Sequence, residues 1–439
     1  MAVTERSPLL RADPSRTGRR IRVLVSGLAL VLLLVGIVTC IAIVARYLRG
    51  SPTPVVPITP LMMAGEFDAI VIGGGPAGSV VSRLLSDDPW RRVLLLEAGN
   101  ASQTQVGGKN AVPSTLNFKG LTPFDIPYYW TNVANTPSLH WAYPDVNIAK
   151  ALGGCGIHNA MLYVRPLPTD LERWKMDKWT WEKTLEIYMD IEDFDGPNSS
   201  YHSTRGFLRT SPAGLESPLS NEFVEACEQI GIQRTEDFNA PGGRVGAGFY
   251  HFNTRDGVRE SAVKAFLDPI VDTGTGISTR KNFQLLTDTT VTKINIDDKN
   301  VTRGVEVRYG NGTEQLIRLA EHGQVILTAA KKGRIGAEIS PGVDVTSTKD
   351  LNKWVLDSVF RNSHWVGSAS MSNSEDEGVV DDHLQVFGIK NLRVADASVI
   401  PFIPNGNVHS SVVMVANRAV QILREDEHEE RRVHTKHAK

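Results

Sequence analysis

The stretch Phe67-Asp-Ala-Ile-Val-Ile-Gly-Gly-Gly-Pro-Ala-Gly78, followed by Val93-Leu-Leu-Leu-Glu-Ala-Gly99, constrains this chain more than any other feature. A short apolar run, a glycine cluster, a stretch with helical potential and a second apolar run ending in an acid occur in that order. Gly73, Gly75 and Gly78 form G-x-G-x-x-G. The first glycine permits a sharp turn, the second lets backbone approach a pyrophosphate, and the third lets helix pack on strand. The helix amino end then presents unpaired N–H groups and a positive partial charge to the phosphates. Glu97 follows Gly78 by 19 residues, where a carboxylate can accept the hydroxyls of an adenosine ribose. The order of these elements predicts a dinucleotide site on a doubly wound α/β sheet. The glycine turn alone does not choose between a nicotinamide and a flavin.

The chain has 439 residues, enough for two or more domains. A formal net charge of −2 leaves no domain-wide basic surface for nucleic acid. The three cysteines Cys40, Cys155 and Cys227 suit neither a disulfide framework nor a zinc site. No spaced His/Asp/Glu cluster is evident, so no metal is expected.

Val23 to Ala45 is an uncharged run of 23 residues, long enough as a helix to cross a bilayer. Six arginines precede it and only Arg46 and Arg49 follow closely. That bias predicts a signal anchor with its amino tail in the cytosol and the rest lumenal or extracellular. Residues 1–22 are then a cytosolic tail, 23–45 the span and 46–65 a proline-rich stalk. Asn100, Asn198, Asn300 and Asn311 head N-x-S/T sequences, usable as glycosylation acceptors on that side. Glu5-Arg-Ser-Pro-Leu9-Leu10 has the form of an acidic dileucine sorting signal for endolysosomal traffic. Residues 426–439 are almost all charged or polar and read as a disordered, solvated tail.

Four further segments carry a resemblance. They are Ala151-Leu-Gly-Gly-Cys-Gly-Ile-His-Asn159 continuing to Arg165; Arg259-Glu-Ser-Ala-Val-Lys-Ala-Phe-Leu267 with Val291-Thr-Lys-Ile; His364-Trp-Val-Gly-Ser-Ala-Ser-Met371; and Asn391-Leu-Arg-Val-Ala-Asp396-Ala-Ser-Val-Ile-Pro401 with Gly406-Asn-Val-His-Ser410. Together with the glycine turn they resemble the glucose–methanol–choline (GMC) family of FAD-dependent oxidoreductases.

The resemblance implies oxidation of an alcohol by hydride transfer to flavin N5. Its implied cofactor residues are Gly73, Gly75, Gly78, Glu97, Ala98, Gly153, His158, Asn159, Val291, Asp396 and Ala397. His364 matches the family's catalytic histidine and would take the hydroxyl proton, a task suited to imidazole near neutrality. Asn407 matches the second member of the catalytic pair, with His409 as runner-up, since residues at i and i+2 of an extended segment share a face. His158 stands where choline-oxidase-like members bond covalently to the flavin. Cys155 beside it reads as a small buried residue. His140, His202, His251 and the tail histidines read as structural.

The expected FAD-binding domain is discontinuous, built from 66–165, 246–330 and 381–425. Residues 166–245 and 334–380 would form a remnant α+β substrate or cap domain, with 174–194 helical and core-facing. After Ala330 the family's pattern breaks. The chain goes directly to Lys331-Lys-Gly-Arg, as if an internal block of the cap were skipped. A wetter flavin face and unpaired strand edges would follow, so the chain as it stands is expected to be impaired. The partners implied are a small alcohol, oxygen or another electron acceptor, and a membrane through 23–45. The competing readings are an inactive flavin-binding or interaction protein and an NAD(P)-dependent dehydrogenase.

Overall fold

The computed structural model describes residues 65–99, 124–125, 140–141, 148–197, 199–213, 217–240, 242, 244–273, 276–328, 337–338, 360–361 and 364–437. All of them fall within one compact unit, Ile58–Lys439. The expected span 23–45, its flanking tail and stalk, the junction at Ala330 and the acceptors Asn100 and Asn198 lie outside the described residues. Among the described residues no helix is long and apolar enough to cross a membrane.

At the centre is a parallel sheet of β1 (Phe67–Ile72), β2 (Val93–Leu96), β3 (Phe283–Leu286), β6 (Glu314–Leu327) and β7 (Leu392–Val394), in the order β3-β2-β1-β6-β7. Two further strands, β4 (Thr289–Ile296) and β5 (Thr302–Tyr309), extend it antiparallel from the first half of β6. The continuous apolar runs of β1 and β2 suit strands covered on both faces. Alternation sends Ala69, Val71, Val93 and Leu95 to one core and Ile70, Leu94 and Leu96 to the other.

On the first face pack helices α1 (Pro76–Leu85) and α5 (Val408–His437). Among the described residues the cover of the second face is not helical. Val305, Val307, Ile317 and Leu319 of β5 and β6 fill it. A doubly wound arrangement with helices on both faces is therefore corrected, among the described residues, to helices on one side and an antiparallel sheet on the other. The reason lies in β6, whose 14 residues serve two sheets. Its pairing with β1 slips between Phe67↔Leu319 and Ala69↔Gln324. At that irregularity a Cβ on Gly323 would lie 2.8 Å from the Phe67 carbonyl oxygen.

Helices α2 (Pro168–Trp174), α3 (Trp181–Ile191) and α4 (Pro218–Gln229) belong to the intervening chain. Trp174 and Trp179 are buried, and the Trp179 indole donates to the Asp382 carbonyl at 2.9 Å. Helix does not run on to residue 194, because Glu192–Phe194 is a strand paired with Leu208–Thr210. The expected disordered tail is also corrected, since α5 continues to His437. Asp426 takes bonds from His383 Nδ1 and Arg393 Nη2, each 2.7 Å, and Glu427 pairs with Arg91 at 2.5 Å. These ion pairs hold the charged turn on the body, which composition alone does not reveal.

Candidate active site

One row of the sheet positions everything that follows. Ile72, Leu96, Leu286, Leu327 and Val394 stand in register across the five parallel strands. Gly73, Glu97, Thr328 and Asp396 therefore emerge at one edge, the carboxyl edge where open α/β sheets place their ligands.

Gly73 turns the chain with φ +103°. A Cβ on Gly78 would lie 1.9 Å from the Gly73 carbonyl oxygen, so helix and turn touch through bare backbone. Gly75 is the amino cap of α1, Pro76 opens the helix, and no side chain caps it. A Cβ on Gly75 would meet nothing nearer than the Gly154 Cα at 3.9 Å. The helix thus offers uncapped N–H groups over a surface kept open by glycine, which fits a pyrophosphate.

The second glycine run locks against the first. The Gly153 amide donates to the Gly74 carbonyl at 2.7 Å. Gly153 and Gly154 adopt φ +98° and +52°, and a Cβ on Gly154 would lie 3.0 Å from the Gly75 Cα. Glu97 is buried at the end of β2. One oxygen accepts from the Gly74 amide and the other from the Gly99 amide, both at 2.7 Å. Burial outweighs these bonds and pushes its pKa up to about 7. Ala98 is half-buried beside it. Val291 lies on β4, two residues beyond Thr289, whose amide donates to the Glu97 carbonyl at 2.9 Å.

Asp396 caps the short helical turn Ala397–Val399. Its Oδ1 accepts from the Ser398 amide at 2.8 Å, while its buried Oδ2 has no partner. His158 has a buried Nε2 without a partner, and its ring meets that of His140 edge-on at 5.3 Å. Burial, then His140 and Arg259, pushes the His158 pKa down to about 4. Two buried polar atoms that a bound group could satisfy thus belong to residues the sequence already singled out. With the glycine cradle, they fit FAD.

The sequence missed Arg259 as an organiser of this site. Its Nε donates to the Phe124 carbonyl at 2.6 Å, Nη1 to Asn159 Oδ1 at 2.6 Å and Nη2 to the Asn159 carbonyl at 2.8 Å. Burial lowers its pKa to about 10, which leaves it charged. Asn159 Oδ1 is therefore taken by the protein, and only its NH2 group remains to meet a cofactor. No local pattern marks an arginine 100 residues away as the anchor of Asn159.

Asn407 directly precedes the first residue of α5, so the extended geometry that would align it with His409 ends there. The His409 ring, by contrast, reaches the cradle. A Cβ on Gly156 would lie 2.8 Å from Pro76 Cγ and 3.4 Å from His409 Cε1. Burial, then the charge of Arg259, lowers the His409 pKa to about 4. His364 is half-buried on a segment tied to the Asp396 turn through Ala369 N to Ser398 O and Met371 N to Val399 O, both 2.9 Å. Cys155, expected to be buried, is exposed, because the 3-10 turn Gly154–Ile157 buries Gly156 and Ile157 instead.

Sequence models of the GMC oxidoreductases match residues 67–333 for the amino-terminal part and 290–416 for the carboxy-terminal part. The chain belongs to the GMC oxidoreductase family. It is 30% identical over 281 residues to an alcohol dehydrogenase [acceptor] of Pseudomonas putida, covering 60% of this chain and 46% of that protein. It is 34% identical over 279 residues to a glucose dehydrogenase [FAD, quinone] of Drosophila melanogaster, covering 60% and 41%. It is 29% identical over 272 residues to choline oxidase of Arthrobacter globiformis, covering 60% and 47%. The chain thus spans under half the length of these relatives.

Among solved structures, pyridoxine 4-oxidase from Mesorbium loti superposes with a TM-score of 0.67 at 20% identity, covering 81% of this chain and 99% of that one. Formate oxidase of Aspergillus oryzae gives 0.68 at 15%, covering 83% and 99%. These likenesses establish the GMC fold.

The expectation of no metal-ligand cluster is also amended. Among the described residues His202, Asp237 and His251 bring ligand atoms within 4.8 Å of one another. The fold gathers them from positions 35 and 14 residues apart, a spacing no sequence motif encodes.

Proposed function

We propose that this GMC chain is a membrane-anchored, lumen-facing FAD oxidoreductase that acts on a CH–OH donor. The observation that carries the reading is the convergence at one sheet edge of an uncapped helix start, the Glu97 carboxyl, the unpartnered Asp396 oxygen and two imidazoles. FAD, when bound, accepts the hydride at N5 and passes the electrons to oxygen or another acceptor. The N–H groups of α1 would hold its pyrophosphate, Glu97 its ribose and Asp396 its remaining polar groups. His364 would take the hydroxyl proton. His409, neutral near pH 7, would accept a hydrogen bond at the substrate oxygen, and its approach to Gly156 favours it over Asn407.

His158 would bind the flavin covalently, with its unpartnered Nε2 as the bonding atom. The membrane reading rests on the 23–45 run and the arginines before it. Asn300 and Asn311, both exposed, would carry glycans.

A second reading, an inactive flavin-binding protein, is favoured by the short span relative to the curated relatives and by the break after Ala330. Anaerobic mixing of the yellow protein with a panel of small alcohols separates the two. Flavin bleaching in the wild type, abolished in His364→Ala with flavin retained, supports the oxidoreductase. Bleaching unchanged in His364→Ala removes the base assignment, and no bleaching with any alcohol favours the binding protein. Turnover at rates usual for the family would remove the expected impairment.

A further inference from the structure

The cluster on residues 192–251 is built unlike an ordinary ion pair. Glu192 sits at its base, fully buried, with Oε1 accepting from Thr210 Oγ1 at 2.8 Å and Oε2 from Arg165 Nη2 at 2.7 Å. The same Oε2 lies 2.7 Å from His202 Nδ1. A carboxylate so placed makes Nδ1 the donor and leaves Nε2 as the atom a metal would take. That outer carboxylate is how metal-binding histidines are commonly oriented. Phe194 stacks on the His202 ring at 4.0 Å and holds its plane.

Nε2 lies 3.0 Å from Asp237 Oδ2, to which it donates, and a metal would bind there in place of that proton. His251 completes the arrangement. Asn239 has its Oδ1 fixed by the Arg165 amide at 2.8 Å, so its NH2 group points to the Tyr163 carbonyl and to His251 Nδ1, each at 3.2 Å. His251 Nδ1 is therefore an acceptor that cannot donate to Asp237 Oδ1, 3.8 Å away. Two imidazole nitrogens and a carboxylate thus lie within 4.8 Å of one another, and a metal would take His251 Nδ1 from the Asn239 NH2 group, whose 3.2 Å bond is long. The rings are 3% and 6% exposed, whereas the Asp237 side chain is 24% exposed and gives an entry path.

The geometry points to a divalent transition-metal site of the zinc class, ligated by His202 Nε2, His251 Nδ1 and the Asp237 carboxylate, with water at the exposed fourth position. Zinc takes such ligands at about 2.0–2.2 Å, so donor atoms no more than 4.8 Å apart need only a small closure. Two nitrogens and one oxygen are its usual borderline set. The ion would pin three separate segments: the loop before Leu208–Thr210, the turn after Arg234–Thr235, and His251–Phe252. The last pairs with Leu162–Tyr163 and so reaches the stretch that carries His158 and Asn159. The site is a structural staple, independent of the flavin chemistry.

The full chain, stripped with a chelator, should take up one Co2+ with a visible d–d band, and Zn2+ should displace it and raise the melting temperature. His251→Gln keeps an acceptor for the Asn239 NH2 group, and Asp237→Asn keeps one for the Asn239 backbone N–H, which donates to Asp237 Oδ1 at 2.7 Å. Each should weaken binding by about 10–100-fold or more, while His434→Gln with His437→Gln should leave it unchanged. The assignment is overturned if the wild type takes up no Co2+, if both site variants bind as well as the wild type, or if the tail substitutions remove the uptake.

Discussion

Glu97 reaches from the end of β2 to the neighbouring strand's glycine turn, accepting a 2.7 Å hydrogen bond from the Gly74 amide. The acid and the glycines of the dinucleotide fingerprint are thereby one physical unit before any ribose arrives. The carboxyl is also under strain of charge, because burial holds its pKa near 7 against a usual 4.5. The folded protein therefore binds the proton more tightly than the unfolded chain between about pH 4.5 and 7. Stability from this group is present at low pH and is lost as pH rises through that window. At about 1.4 kcal/mol per pH unit, wild type without flavin should lose on the order of 3 kcal/mol relative to Glu97→Gln between those limits. Urea unfolding of both proteins from pH 5 to 8 measures the difference; parallel curves would refute it.

Gly78→Ala is the sharpest test of the cradle. Its new methyl would lie 1.9 Å from the Gly73 carbonyl oxygen, and that oxygen already accepts from Thr328 Oγ1 at 2.8 Å. The turn must move, and the pyrophosphate surface with it. A cost of about 1–3 kcal/mol in stability is expected from overpacking, together with loss of bound flavin. Flavin absorbance remaining with the polypeptide after gel filtration reads the second effect. A yellow, fully loaded Gly78→Ala protein would contradict the packing account.

How far the sequence could be read follows from what each part encodes. The β1–turn–α1–β2 unit was legible because its glycines answer to backbone geometry within a few residues, and Gly73, Gly75, Gly78 and Glu97 lie where that geometry required. The second face of the sheet was not, because β6 changes partners midway and alternation cannot say which strand covers Ile70 or Leu94. The approach of His409 to Gly156 was not legible, because it depends on where α5 begins, and Asn407 lies just outside that helix. Arg259 and the His202–Asp237–His251 group were invisible because each contact joins remote positions. The helical end of α5 is not legible in composition, because charge there serves ion pairs to Arg91, His383 and Arg393 rather than solvation alone.

Arg165 and Glu192 form an ion pair at 2.7 Å with both side chains fully buried. Arg165 also donates to the Tyr201 carbonyl at 2.6 Å, and its guanidinium lies 5.0 Å from the Tyr188 ring centre. Removing one charge leaves the other without compensation in a site water cannot reach. Glu192→Gln is therefore expected to cost about 3–5 kcal/mol, whereas replacing an exposed pair such as Arg308–Glu314 should cost about 0–1 kcal/mol. Chemical denaturation of the two variants side by side checks the contrast, and equal effects would show that the buried pair is not a linchpin of this segment.

His409 gives a pH dependence of opposite sign to Glu97. Burial and Arg259 lower its pKa from 6.5 to about 4, so the folded state binds its proton more weakly than the unfolded chain. The stability it supports is present above about pH 6.5 and is lost as pH falls toward 4. Relative to His409→Gln, the wild type should thus lose on the order of 3 kcal/mol over that range. The same depression keeps the imidazole uncharged at neutral pH, where it can accept a hydrogen bond from a substrate hydroxyl. Flavin bleaching by an alcohol should accordingly show no step near pH 6.5 that disappears in His409→Gln, while the variant itself should bleach more slowly, by about 10²-fold or more if the residue acts on the proton. Stopped-flow traces from pH 5 to 8 on both proteins measure this, and equal rates would exclude His409 from the substrate site.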